Sequence, residues 1–146
     1  MPFNVELSIA ALPKKVFDFV SDFNTMSQWY SAIQRVKRIH GSGGVGTRYL
    51  VYRDLPVGRV ENEVEISSMI DGKEVTFTSR RGPTPFIYRY LVESDGAGTH
   101  LILNGTISGD GLTGPLALLA PMAERLFKNG MRKNLDRLRQ LLENEQ

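Results

Sequence analysis

The sequence predicts an α+β fold in the order β-α-α-β6-α, with an antiparallel sheet whose apolar face is covered by a long C-terminal helix. Three observations predict it. Apolar and polar residues alternate in the opening segment, and extended runs return between about Arg35 and Asp110. Clusters of Gly, Pro and Asp separate those runs at hairpin spacing, which reads as an antiparallel meander. After Gly111 the apolar period becomes helical, and a sheet with one apolar face needs such a cover.

Each element has its own signal. Phe3, Val5, Leu7 and Ile9 alternate with Asn4, Glu6 and Ser8, as a half-buried strand requires. Pro13 suits the first turn of a helix, and Val16, Phe17 and Val20 come next at helical spacing. Asp22 and Asn24 end that helix, and Asn24 or Thr25 is expected to cap a second short one carrying Met26, Trp29 and Ile33. Hairpins are expected at Gly41 to Gly46, Pro56-Val57-Gly58, Asp71-Gly72, Gly82 to Pro85 and Asp95 to Gly98. Leu116, Leu119, Ala123, Leu126, Gly130, Asn134, Leu138 and Leu141 form the closing stripe, with Pro121 kinking the helix or marking its start.

Turns fix register, and register fixes which side chains share a face. The hairpins pair Val51 with Asn62, Tyr49 with Val64, Ile66 with Phe77 and Val64 with Ser79. They then pair Ser79 with Tyr88, Phe77 with Tyr90 and Val75 with Val92, and finally Val92 with Leu101, Tyr90 with Leu103 and Tyr88 with Gly105. The resulting inner face is mostly apolar, while Glu61, Glu63, Glu65, Thr76, Thr78, Arg80, Arg89, Glu93 and His100 fall outside. A single bulge would flip the residues beyond it.

The inner face also carries Tyr49, Arg53, Asn62, Ser79, Tyr88 and Tyr90. A core avoids polar groups it must then satisfy, whereas a ligand cavity is apolar with a few convergent polar groups. Gly105 in the sheet and Gly130 in the helix remove side chains from facing walls, which suggests a space between them. The competing reading is that Tyr88 and Tyr90 fill those gaps. The ligand-binding candidates are Trp29, Tyr49, Arg53, Asn62, Val64, Phe77, Ser79, Tyr88, Tyr90, Leu103, Gly105, Leu119, Ala123 and Gly130. Arg53 is expected near the sheet rim, where it could receive an anionic group.

Composition bounds the alternatives. At 146 residues the chain is expected to be one domain spanning 1–146, with 41% hydrophobic and 23% charged residues, ordinary globular usage. No apolar run reaches the ~18 residues of a membrane span, so no stable membrane insertion is expected. The N-terminus has no signal-peptide pattern, so the expected location is cytoplasmic. A net charge of +2 gives no support to nucleic-acid binding. With no cysteine and two histidines, neither a metal site nor a cofactor is expected. Gly41-Ser42-Gly43-Gly44-Val45-Gly46 matches a dinucleotide fingerprint, but the next residues, Thr47 to Tyr52, read as strand where that site needs a helix.

Ile9-Ala10-Ala11-Leu12-Pro13-Lys14-Lys15-Val16-Phe17-Asp18-Phe19-Val20, then Asp22-Phe23-Asn24 with Trp29 after it, form one recognisable passage. Gly44-Val45-Gly46-Thr47, Gly98-Thr99-His100-Leu101 and the segment from Pro115 to Leu142 come after it in order. In this order and wording the chain resembles the START-like, polyketide cyclase/dehydrase-like (SRPBCC) superfamily of helix-grip proteins. The resemblance covers nearly the whole chain. It implies a helix-grip (START-like) fold, a curved antiparallel sheet wrapped around the long C-terminal helix. It also implies a cavity for apolar molecules between them, with Trp29 near its wall, and members that bind, transport, cyclise or dehydrate lipids or polyketides. The superfamily brings no shared catalytic motif, so catalytic residues stay unassigned.

Three functions are expected. The first is a carrier or sensor for a small hydrophobic ligand such as a lipid or polyketide. The second is a polyketide cyclase/dehydrase-type enzyme acting on such a ligand; no carboxylate lies on the expected inner face to serve as a strong base. The third is a non-catalytic partner module using the outer face, where Leu91 pairs with Ile102 near Leu50, Tyr52 and Ile87, a patch that also admits a homodimer.

Overall fold

The computed structural model describes residues 2–55, 58–82, 85–107 and 120–144, apart from the side chains at 55 and 120–127. Strand β1 (Pro2–Ile9) leads to helix α1 (Pro13–Val20) and a 3-10 helix (Phe23–Gln28). Six strands come next: β2 (Ile33–His40), β3 (Arg48–Leu55), β4 (Gly58–Ile70), β5 (Glu74–Arg81), β6 (Phe86–Asp95) and β7 (Gly98–Ile107). Helix α2 (Ala120–Asn144) closes the chain. The seven strands form one antiparallel sheet in the order β1-β7-β6-β5-β4-β3-β2. Among the described strands, only the pairing of β1 with β7 joins elements distant in sequence, and it makes β1 and β2 the edges.

Local chemistry accounts for the helix ends. Pro13 opens α1, where its missing N–H costs nothing. Pro121 is the second residue of α2 within the described part of the chain. The second short helix begins earlier than the sequence suggests. Its cap is Asp22, whose carboxylate accepts from Asn24 N at 3.0 Å, because an Asx side chain satisfies the N–H two residues on. Trp29 sits at its C-terminal cap with φ −134°, and Ile33 belongs to β2 instead of the helix.

The expected register holds at β3–β4, at the inner pairs of β4–β5 and at β6–β7. It slips by two residues at β5–β6, where Phe77 faces Tyr88 and Val75 faces Tyr90. Ser79 and Arg81 instead stay paired to β4, and Thr78 with Ile87 is the outermost β5–β6 pair. The turn is therefore longer than a tight hairpin. Gly82 bears this: its φ is +115°, and a Cβ there would lie 2.3 Å from Glu61 O. A shift of two preserves parity, so the same residues point inward. Beyond a bulge between Ile66 and Ser68, Met69 packs against the core.

The core lies between the concave sheet face, α1, the 3-10 helix and α2. From α2 it takes Met131, Asn134, Leu135, Leu138 and Leu142. The stripe is thus broader than expected: Met131, Leu135 and Leu142 join it, and Leu141 is half-buried. Leu116 and Leu119 lie outside the described residues, and Ala123 and Leu126 lie in α2 beyond its described side chains. Polar contacts tie α2 down at its middle and at its C-terminal end. Glu143 accepts from Ala10 N at 2.8 Å, Ser31 N donates to Asn134 Oδ1 at 3.1 Å, and Arg137 Nε donates to Gln28 O at 2.9 Å.

On the convex face, Arg48–Glu63, Arg80–Glu65 and Arg89–Glu74 pair at 3.3, 2.9 and 2.8 Å. Leu91 and Ile102 pair as expected, and both are half-buried beside this ladder. His100 faces Glu93 across the backbone pairing, but its ring meets Glu6 on β1 at 3.0 Å. Among the described residues no helix is long and apolar enough to cross a membrane.

Candidate functional site

The concave face holds a buried polar row that crosses three strands. Arg53 on β3 is 2% exposed, so it is interior and not at the rim where the sequence suggests it. Its Nε and Nη2 donate to Asn62 Oδ1 on β4 at 3.0 and 2.7 Å, and Asn62 Nδ2 donates to Ser79 Oγ on β5 at 2.9 Å. The guanidinium also lies 5.2 Å from the centre of the Phe86 ring, a favourable cation–π position. Burial pulls the Arg53 pKa below its usual value, and the Tyr88 and Tyr30 phenols act in the opposite direction. An arginine remains charged through such a shift.

A pair of tyrosines adjoins the row. Tyr30 and Tyr88 share a hydroxyl–hydroxyl hydrogen bond of 2.9 Å, and Tyr88 stacks on Phe86 with ring centres 4.4 Å apart. Burial pushes both pKa values up, Tyr88 strongly so, which keeps the pair neutral.

Farther along the same face the chemistry is aromatic. Phe23 meets Tyr49 and Phe77 at ring distances of 5.6 and 4.8 Å, and Tyr90 meets Phe77 and Trp29 edge-on at 6.2 and 6.4 Å. Here two buried polar atoms, Trp29 Nε1 and the Tyr90 hydroxyl, have no hydrogen-bond partner among the described residues. Native interiors seldom leave such groups unpaired. From outside, an open groove of about 570 Å³ between residues 27–33 and the Lys133–Gln140 stretch of α2 is lined in part by Trp29 and Tyr30.

Of the candidates, Tyr49, Arg53, Asn62, Val64, Phe77, Ser79, Tyr88, Tyr90 and Leu103 are all buried on the concave face, and Trp29 joins them from the 3-10 helix. Gly105 has a different purpose from the one expected. A Cβ there would lie 2.3 to 2.8 Å from the Phe3 ring, so the missing side chain makes room for Phe3 and not for a ligand. Half-buried Gly130 has no atom of the described residues within 4 Å of a Cβ built on it. Tyr30 is the residue sequence reasoning missed. On a helix it would point about 100° away from Trp29, but the non-helical cap at Trp29 lets both rings turn inward. The glycine-rich segment is the β2–β3 hairpin: Gly43 N donates to Thr47 Oγ1 at 2.8 Å, and a Cβ at Gly41 would strike Thr47.

The family model for polyketide cyclase/dehydrase and lipid transport matches residues 2–143. The chain belongs to that family. No curated protein matches the sequence. Among solved structures, the Zhui aromatase/cyclase from Streptomyces aligns with a TM-score of 0.81 at 11% identity, covering 98% of this chain and 93% of its own. A Thermus thermophilus protein aligns at 0.80 and 19% identity, covering 96% and 95%. A START superfamily protein from Mycobacterium smegmatis aligns at 0.72 and 15% identity, covering 99% and 95%. At these identities the likeness concerns the fold, which is the START-like helix-grip. Family membership assigns no residue a chemical role.

Proposed function

We propose that the protein binds a small hydrophobic ligand between the concave sheet face and α2, as a carrier or sensor. The observation that carries this reading is the Arg53–Asn62–Ser79 row inside an otherwise apolar interior. Burying a guanidinium costs several kcal/mol that an apolar residue of similar volume would not. Retaining it has a purpose if a ligand's polar end meets the row, while its apolar body lies against Val64, Phe77 and Leu103. The family's description, which includes lipid transport, supports the same reading.

Native mass spectrometry of the purified chain tests it. A non-covalent adduct that leaves on denaturation is the expected result, and Ser79→Ala should lower its occupancy. If the native mass stays that of the bare chain and an apolar dye shows no saturable binding, the reading fails.

A second reading is a cyclase or dehydrase acting on that ligand. Its specific support is the Tyr30–Tyr88 pair beside Arg53: a neutral phenol next to a cation can give a proton to an oxygen developing negative charge. Unchanged recovery of bound polyketide-like substrates would leave the carrier reading alone.

A further inference from the structure

We propose that Trp29 and Tyr90 form a donor subsite that selects ligands carrying an uncharged acceptor oxygen, such as a ketone, ester or ether, on their apolar body. This deepens the carrier reading and rests on it.

The inference starts from what the two side chains can do. An indole N–H only donates. A phenol both donates and accepts, and burial pushes the Tyr90 pKa well above its usual value, so the hydroxyl keeps its proton. Both groups are fully interior, Trp29 at 1% exposed and Tyr90 at 0%, and neither has a partner among the described residues. They come from different elements, Trp29 from the 3-10 helix cap and Tyr90 from the middle of β6, with ring centres 6.4 Å apart.

A buried donor without an acceptor is costly, so a partner that completes both is strongly favoured. A partner that completes both must bring lone pairs, because the indole N–H can only donate. It need not bring charge. In the described structure the nearby rings are Phe77 and Tyr30, and the cation of the site is held at the Arg53–Asn62 row. An anion would pay full desolvation here for two neutral donors, whereas a carbonyl or ether oxygen costs far less to bury. Trp29 also contributes to the wall of the open groove, which lies on the outer side of the same segment.

The chain has one tryptophan, so nitrogen-15 labelling gives a single indole N–H resonance that reports on Trp29 alone. The probes are acetophenone and its isostere α-methylstyrene, in which a methylene group replaces the carbonyl oxygen. Acetophenone should move the indole proton downfield as a hydrogen bond forms, and α-methylstyrene should not. Tyr90→Phe should weaken acetophenone by roughly three- to tenfold, the scale of one net hydrogen bond, while leaving α-methylstyrene within about twofold. If both probes bind, but the indole proton ignores the carbonyl or the variant weakens both alike, the donors serve a trapped water and this inference is overturned. The carrier reading would survive that result. If neither probe binds and the native mass also shows no adduct, the carrier reading falls, and this inference with it.

Discussion

Two stretches of one sheet face treat their polar atoms in opposite ways. Around Arg53, polar atoms answer one another: Arg53 to Asn62, Asn62 to Ser79, Tyr30 to Tyr88. Around Trp29 and Tyr90, equally buried polar atoms answer nothing among the described residues. The first stretch pairs its polar atoms within the folded chain, so deleting one partner should cost stability. The second is, on the proposed reading, the place where a ligand's acceptor oxygen supplies the missing partner.

The strongest way to break this contrast is Asn62→Ala. Asn62 is fully buried and hydrogen-bonds both a guanidinium and a hydroxyl, so its loss removes three hydrogen bonds from the interior. Removing hydrogen bonds to a buried charge should destabilise the protein by about 3 kcal/mol. A urea denaturation series would show this as a lower midpoint with unchanged slope. A loss below about 1 kcal/mol would mean that the row is not a structural unit, and the contrast would collapse.

Alkaline titration sharpens the contrast next. Tyr30, Tyr88 and Tyr90 are buried, and burial raises each pKa in the folded protein. The sign comes from linkage. A folded pKa above the unfolded value of about 10 means that the folded state holds the proton more tightly. The stabilisation is fully present below about pH 10 and is lost as pH rises beyond it. Tyrosinate absorbance for these three residues should therefore appear only together with the loss of the circular-dichroism signal. Ionisation of one of them in a still-folded protein, absent in Tyr90→Phe, would identify Tyr90 and show that water reaches the aromatic half freely.

How far the sequence reveals this arrangement depends on the kind of contact. Hairpin order and facing parity are written in period-two alternation and in Gly, Asp and Pro turns, so Val51–Asn62 and Tyr90–Leu103 are paired as expected. The slip at β5–β6 is invisible to that pattern, because an even shift leaves every residue on the same face. Phe3 against Gly105 is invisible for another reason. It depends on β1 joining β7 across nearly the whole chain, and no turn records that pairing. Arg53 reads as a rim residue because charge predicts exposure, but Asn62, nine residues on, accepts two of its N–H groups and the Phe86 ring lies 5.2 Å from its guanidinium, which makes its burial tolerable. Which polar atoms lack a partner is a matter of side-chain placement, beyond what residue order carries.

The smallest expected effect is the most discriminating. Tyr90→Phe removes a hydroxyl that has no described partner, and the ring can keep its edge-on contacts with Trp29 and Phe77. Deleting a buried polar atom that pairs with nothing removes a desolvation penalty rather than a bond. The ligand-free variant should therefore match the parent within about 0.5 kcal/mol or exceed it, in contrast to the large loss at Asn62. Thermal unfolding of delipidated protein measures this directly. A clear destabilisation would show that the hydroxyl already has a partner in the empty protein, such as an ordered water, and both halves of the face would then be complete as folded. Stability kept, with the carbonyl probe weakened, would place the worth of this hydroxyl in the ligand complex and not in the fold.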